Sequence, residues 1–270
     1  MATKTILLTG ATSGIGALTA KAVAQRGHCT LLHGRDAERL AAQCDSLRAH
    51  SGNDAIEGYV ADLADLDQAR DLAARVASAH PQLDVLINNA GVGKGRPGQG
   101  RRESTQGHEL IFAVNVLAPF VLMRHLLPCL QAAAPARVVN VASVAQAPVD
   151  FEDLMLQRDY DGYRAYARSK LALIMLSIEQ AQRISAEQVT VNAVHPGTLL
   201  DTKMARDEFG GALAPAEEGR DALVHLALDQ DVAACTGQYF DQKGAVSPHP
   251  QALDSQARER LWQACSELAA

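Results

Sequence analysis

No two of the five cysteines form a CxxC pair or take up metal-ligand spacing: Cys29, Cys44, Cys129, Cys235 and Cys265 are scattered through the chain. That excludes a cysteine-based metal motif and suits free thiols in a reducing cytosol. Positive charge is not in excess either. Lysine and arginine total 25 against 31 acidic residues, a net charge of −6, so the whole-molecule field does not favour nucleic acid. The one basic cluster, Lys94, Arg96, Arg101 and Arg102, lies among glycines in an expected loop. No stretch reads as the long apolar run needed to cross a bilayer. At the N-terminus, Thr5-Ile6-Leu7-Leu8 is too short for the apolar region of a signal peptide. Internal repeats are lacking, and the only biased tract is the short loop 91–100. The expectation is a cytoplasmic protein without membrane or nucleic-acid partners.

What is present is an ordinary globular balance, 47% apolar and 21% charged. Short β-rich runs alternate with longer helical patterns, which predicts a parallel sheet covered on both faces. Strands are expected at Lys4–Thr9, Thr30–Gly34, Ile56–Val60, Val85–Asn88, Arg137–Ala142, Val189–His195 and Gln238–Phe240. Helices are expected at Gly16–Arg26, Ala37–Ala49, Leu66–Ala79, Glu109–Ala132 and Tyr163–Arg183. The fold class is therefore α/β, a doubly wound, predominantly parallel seven-stranded sheet, with residues 1–270 as one domain. Three irregular stretches leave strand ends, where ligands bind in such sheets: 91–102, 144–162 and 198–215. The last follows Pro196-Gly197 and is expected to act as a substrate lid. Residues 242–270 are expected to pack as a tail carrying a last helix, Asp254–Leu268, with Leu261, Trp262 and Leu268 as its apolar stripe.

Two motifs carry chemistry. The first is Thr9-Gly10-Ala11-Thr12-Ser13-Gly14-Ile15-Gly16, between an expected strand and an expected helix. Gly10 permits a tight turn, while Gly14 and Gly16 let the backbone approach a pyrophosphate and the next helix. The helix N-terminus then presents free N–H groups to phosphate oxygens. This is the context of a dinucleotide-binding, Rossmann-type fold. At the end of the second strand, Gly34 stands where an acidic residue would hold an adenosine ribose, and Arg35 follows. Arginine suits a 2′-phosphate, which favours NADP, with NAD as the alternative. Asp36 reads as the N-cap of the next helix.

The second motif is Tyr166 with Lys170 four residues on, so that phenol and ammonium share a helix face. A nearby cation favours the ionised phenol, and the expectation is a Tyr166 pKa lowered by about two to three units. Such a group exchanges protons near neutral pH. Tyr163 has only Ala167 at the fourth position; Tyr160 has Arg164 there but falls near or before the helix start.

With Asp62-Leu63, Asn88-Asn89-Ala90-Gly91, Asn115, Ser143 and Pro196-Gly197 in the same order, the chain resembles the short-chain dehydrogenase/reductase family over almost its whole length. Within it, Phe112–Phe120, the long spacer from Ser143 to Tyr166, Ser169-Lys170-Leu171-Ala172 and Gly237-Gln238-Tyr239-Phe240 are similar to the retinol-dehydrogenase-like branch. The resemblance implies a catalytic set of Asn115, Ser143, Tyr166 and Lys170. It also implies a cofactor groove made by Gly10, Thr12, Ser13, Gly14, Ile15, Gly16, Arg35, Asp62, Leu63, Asn89, Ala90 and Gly91. Asn115, Tyr166, Lys170, Pro196, Gly197, Thr198 and Thr202 would complete that groove, with no metal. By this likeness Asp62 would accept from the adenine amino group, Ser143 would bond the substrate oxygen, and Asn115 would hold a water linking Lys170 to solvent.

One departure stands out. The family places three residues between Pro-Gly and a threonine that contacts the nicotinamide carboxamide; here Thr198, Leu199, Leu200 and Asp201 separate Gly197 from Thr202. The contact falls to Thr202, Thr198 or backbone alone. The implied activity is interconversion of a small-molecule carbonyl and alcohol by hydride transfer. The alternatives are a non-catalytic dinucleotide sensor or a reductase of activated C=C bonds. A homodimer or homotetramer is expected through the fourth and fifth helices, with Leu122, Met123, Leu126, Leu173, Met175 and Leu176 as candidate contacts.

Overall fold

Short apolar runs, buried almost throughout, build the sheet at the centre of the computed structural model, which describes residues 2–96 and 98–270. Its strands are β1 (Thr5–Leu8), β2 (Cys29–Gly34), β3 (Ile56–Val60), β4 (Val85–Asn88), β5 (Ala136–Val141), β6 (Val189–His195), β7 (Tyr239–Asp241) and β8 (Gly244–Val246). They lie in the order β3-β2-β1-β4-β5-β6-β7-β8. β1 to β7 are parallel, and β8 alone runs antiparallel, against β7. Eight strands therefore replace the expected seven. The added one is three residues long, exposed throughout and partly glycine, so it leaves no apolar period to read. Every residue of β4, β5 and β6 is buried, as parallel strands covered on both faces require.

Period-two alternation divides the core into two layers. Ile6, Leu8, Leu32, Val85, Ile87 and Val139 face α1 (Gly14–Ala24), α2 (Ala37–Ser51) and α8 (Ala216–Leu228). Leu7, Leu31, Leu86, Val138 and Val191 face the opposite layer, which includes α3 (Leu66–Ala79) and α6 (Gly162–Arg183). Helix starts follow their caps: Asp36 accepts from Arg39 N at 3.1 Å, Asp65 from Asp67 N at 3.0 Å and Asp161 from Arg164 N at 2.7 Å. Asp36 is thus occupied as an N-cap. Helix α8 has no counterpart among the expected helices, because Pro215 and Gly219 break its pattern. Pro215 stands at its N-cap, and Gly219 marks its close approach to α1: a Cβ there would sit 2.6 Å from Ile15 Cγ2.

The expected fourth helix is continuous from 110 to 132 but not uniform. It comprises α4 (Leu110–Phe112), a π-helical turn (Ala113–Leu117) and α5 (Ala118–Ala132). This corrects the membrane reading, since Leu110–Ala132 is long and apolar enough to cross a bilayer by length and composition. Its most apolar window is 78% buried within the fold, as befits a core helix. Arg124 and His125 sit on its exposed side, which hides the length of the apolar run in the sequence.

The C-terminal segment lies against the same layer. α7 (Lys203–Phe209) precedes α8, and α9 (Ser255–Leu268) closes the chain. Asp254 caps α9 through Gln256 N at 2.9 Å. Leu261 and Cys265 are fully buried, and Trp262 meets Phe120 edge-on with ring centroids 5.0 Å apart. Arg258, 4% exposed, pairs with Glu179 at 3.3 Å and donates to Ala252 O and Gln182 Oε1, each at 3.0 Å. The six apolar residues expected at a subunit contact, from Leu122 to Leu176, are all buried inside this chain. They supply no unpaired surface for a second copy.

Candidate active site

The sheet order reverses beside β1, between β2 and β4, and the groove opens at the carboxyl ends of these strands. Gly10 and Gly14 have φ of 67° and 54°, conformations that side chains with a Cβ resist. A Cβ on Gly10 would stand 2.8 Å from Ala90 Cα, so the glycine also permits contact between two loops. Hydrogen bonds fix that contact. Thr9 Oγ1 accepts from Asn89 N at 3.0 Å and Ala90 N at 2.9 Å, while Asn89 Nδ2 donates to Thr9 O at 2.8 Å. Asn88 Nδ2 donates to Asn140 Oδ1 at 2.8 Å and so ties β4 to β5.

His33, which sequence reasoning missed, props the loop from β2. Gly10 N donates to His33 Nδ1 at 3.2 Å, and the other ring nitrogen lies 3.0 Å from Ala61 O. Burial lowers the His33 pKa, so the ring is neutral, with Nδ1 accepting and Nε2 donating. An interior histidine on an apolar strand gives no signal of this role in sequence.

The groove fits a dinucleotide on structural grounds. The N-cap of α1, Ser13, makes no side-chain cap hydrogen bond, whereas α2, α3, α6 and α7 are each capped by their own side chain. The first N–H groups of α1 are thus left for an anion. Gly10, Thr12, Ser13, Gly14, Ile15, Gly16, Arg35, Asp62, Leu63, Asn89, Ala90 and Gly91 all line one cavity of about 890 Å³. Arg35 is exposed and makes no ion pair among the described residues. Asp62 Oδ1 accepts from Ala64 N at 3.0 Å, which shapes the turn beside the groove.

The same cavity runs on to Ser143, Tyr166 and Lys170. Tyr166 and Ser143 line this end of the cavity together, near enough for the Ser143 hydroxyl to draw the phenol's pKa down. Tyr239 OH, from β7, donates to Ser143 O at 3.0 Å and steadies the serine's backbone. Lys170 is 6% exposed, and its Nζ donates to Val141 O at 2.8 Å while lying 5.6 Å from the Tyr166 ring centroid. This alters the expected electrostatics. Burial pushes the Tyr166 phenol up, opposed by the Ser143 hydroxyl, and burial draws the Lys170 ammonium down to about 8. Desolvation acts on both groups at once, so the expected lowering of the phenol by its neighbour is not what this arrangement produces.

Asn115 sits in the π-helical turn and is 1% exposed. Its Oδ1 accepts from Val92 N at 2.9 Å, and its Nδ2 donates to Val92 O and Ser169 Oγ, each at 3.0 Å. The amide clamps the loop after β4 to α6 beside Lys170. Its polar atoms are engaged there, so the side chain is a clamp in this arrangement.

The extra residue after Pro196-Gly197 is absorbed at Leu199, whose φ of 47° kinks the backbone. Thr202 then caps α7 through Ala205 N at 3.2 Å, with its methyl 3.2 Å from where a Cβ on Gly14 would lie. Thr198 stays at the strand end, 3.1 Å from His195 Nε2. Pro196, Gly197, Thr198 and Thr202 all line the cavity, with Thr202 toward the glycine loop and Thr198 toward β6. The stretch 198–215 is a helix-bearing loop, since α7 lies within it. Arg168 faces Asp150 at 3.9 Å, apart from this wall. Among the described residues one set, His225, Asp229 and Asp231, brings three possible metal ligands within 4.8 Å. Two of these are exposed carboxylates, and His225 Nδ1 already bonds Asp229 at 2.9 Å.

A family profile described as short chain dehydrogenase matches residues 4–211. The chain belongs to that family. This short chain dehydrogenase is similar to retinol dehydrogenase 13 of Homo sapiens, 34% identical with 98% of this chain and 84% of the relative covered. It is 35% identical to dehydrogenase/reductase SDR family member 13 of Homo sapiens, covering 98% and 73%. Among solved structures, a Mycobacterium paratuberculosis protein aligns with a TM-score of 0.80 at 28% identity, covering 99% of this chain and 94% of that one. The Pseudomonas aeruginosa RhlG/NADP active-site complex aligns with a TM-score of 0.71 at 28% identity, covering 89% and 95%. The protein is an oxidoreductase of the retinol-dehydrogenase-like branch, acting on an alcohol or carbonyl with a nicotinamide dinucleotide.

Proposed function

We propose that this enzyme interconverts a small-molecule carbonyl and its alcohol with NADP(H), using Tyr166 as the proton donor and acceptor. The observation that carries the reading is the convergence of Ser143, Tyr166 and Lys170 at one end of a cavity whose other end is the uncapped start of α1. When bound, the nicotinamide supplies or takes up the hydride at its C4 carbon. Ser143 donates a hydrogen bond to the substrate oxygen, where negative charge develops during reduction. Tyr166 gives that oxygen a proton as the C–H bond forms; in the reverse direction its phenolate removes the alcohol proton. Lys170, charged below about pH 8, favours the phenolate that reduction leaves behind.

NADP over NAD rests on Gly34 and Arg35. No carboxylate follows β2 to hold the ribose, because Asp36 is turned into the cap of α2. Arg35 offers a planar fork to a 2′-phosphate. Solved relatives complexed with NADP and NADPH support the choice. The test is turnover of NADPH and NADH against a panel of aldehydes, ketones, quinones and enones. Carbonyl reduction with NADPH preferred at least about tenfold is expected, the worth of one charge-assisted hydrogen bond. Tight NADPH binding without turnover on any member would overturn the enzymatic reading, and enone reduction alone would replace it.

A further inference from the structure

The lid has a fixed base. Leu213 N donates to Leu199 O at 2.8 Å, Asp201 N to Ala214 O at 2.9 Å, and Leu200 bridges Ala214. Thr202 starts α7 and Gly210, with φ of 80°, ends it. The closed neck holds this short helix at the mouth of the cavity, where Met204 and Glu208 join Tyr163, Val144 and Tyr166 in the lining.

Glu208 reaches from α7 to the loop after β4 and lies against Gly93. A Cβ on Gly93 would stand 2.6 Å from the carboxyl carbon, so a glycine is needed for the carboxyl to settle there. Burial raises the Glu208 pKa, while the N–H groups of Gly95 and Lys94 and the charges of Lys94 and Arg102 draw it the other way. Even so, Oε2 is sealed from solvent and has no hydrogen-bond partner among the described residues. The Tyr166 phenol responds to this carboxylate, which adds to the upward push of burial. The mechanism above does not use it.

We infer that Glu208 is a specificity-determining residue: it accepts a hydrogen bond from a hydroxyl or protonated amine that the substrate carries away from its reacting carbonyl, and it disfavours carboxylate-bearing substrates. This rests on the carbonyl–alcohol reading. A neutral donor can approach the half-buried carboxyl from the cavity it lines, whereas a second carboxylate would face like charge in a partly dry mouth. The basic loop at 94–102 alone would suggest the opposite preference, for anions. Glu208 stands between that loop and Tyr166.

The test uses the full chain with NADPH, at one fixed pH for every probe and variant. Three matched probes are benzaldehyde, 4-(hydroxymethyl)benzaldehyde and 4-carboxybenzaldehyde. Wild type should prefer the hydroxymethyl over the carboxy probe by about tenfold or more in kcat/KM, the size of one like-charge penalty. Glu208→Gln should cut that ratio at least about fivefold, mainly by lowering KM for the carboxy probe, since the amide keeps an acceptor but loses the charge. Gly93→Ala should do the same without altering Glu208, because its methyl displaces the carboxyl. An unchanged ratio in both variants, with benzaldehyde still reduced, would overturn the assignment. If wild type reduced none of the three and no other carbonyl, the functional reading itself would fail, and this inference with it.

Discussion

The two ends of α6 carry similar residue types in opposite conditions. Its C-terminal half holds Glu179 between Arg183 at 2.8 Å and Arg258 at 3.3 Å, with Arg183 also stacked 4.4 Å from the Trp262 ring. There each buried charge has an opposite charge, and α9 is fastened to the body. The N-terminal half holds Lys170 on a single backbone carbonyl, with no carboxylate bonded to it among the described residues, and Tyr166 raised by burial. Identical backbone geometry thus serves cohesion at one end and reactivity at the other. The difference lies in what is left unpaired. A site that must bind a charged dinucleotide keeps groups that the protein alone does not satisfy.

Breaking the satisfied end should cost the most. Arg258→Met removes one of two cations from buried Glu179 and should destabilise by about 3 kcal/mol, lowering Tm by roughly 6–12 °C. Turnover per folded molecule should be retained, as read by thermal melts beside activity at low temperature. A loss of activity without a fall in Tm would mean that the two ends are not separable.

Arg35 extends the contrast to the far end of the groove, as a further polar group without a partner among the described residues. Arg35→Ser should lower the NADPH-over-NADH preference by about 1.5–3 kcal/mol, tenfold or more in kcat/KM ratio, with little change in Tm. An unaltered ratio would place the 2′-phosphate elsewhere.

The smallest effect has the opposite sign to the first. Lys170→Met should abolish turnover yet stabilise the cofactor-free fold by about 1–2 kcal/mol at neutral pH. The sign follows from the folded pKa of about 8 lying below the ordinary 10.5. Between those values the unfolded chain holds a proton that the folded chain has released, so wild-type stability rises with pH across that window. The burden of the buried cation is complete below pH 8 and gone above 10.5, so the variant's advantage should shrink between them. Melts at several pH values check this; an advantage that grew above pH 8 would contradict it.

Much of this architecture is legible in the residues. Apolar strands flanked by Gly10 and Asp36 predict where the chain turns, because caps and left-handed glycines act locally. The groove is legible for the same reason, as a short loop whose glycines meet known steric demands. What escapes is tertiary. Nothing local marks His33 as the prop under Gly10, Tyr239 as the anchor of Ser143, or Asn115 as a clamp on Val92. Helix α8 is hidden by a glycine that exists for its contact with Ile15. The Tyr166–Lys170 spacing predicts adjacency, but it cannot report burial, and burial reverses the expected direction of the phenol's shift.

The most direct measurement is single-turnover oxidation of bound NADPH by a reducible aldehyde, in wild type and Tyr166→Phe side by side. The account predicts rapid oxidation in wild type and a rate at least about a hundredfold lower in the variant, the typical worth of a positioned proton donor, with NADPH affinity unchanged. Equal rates in the two proteins would contradict it.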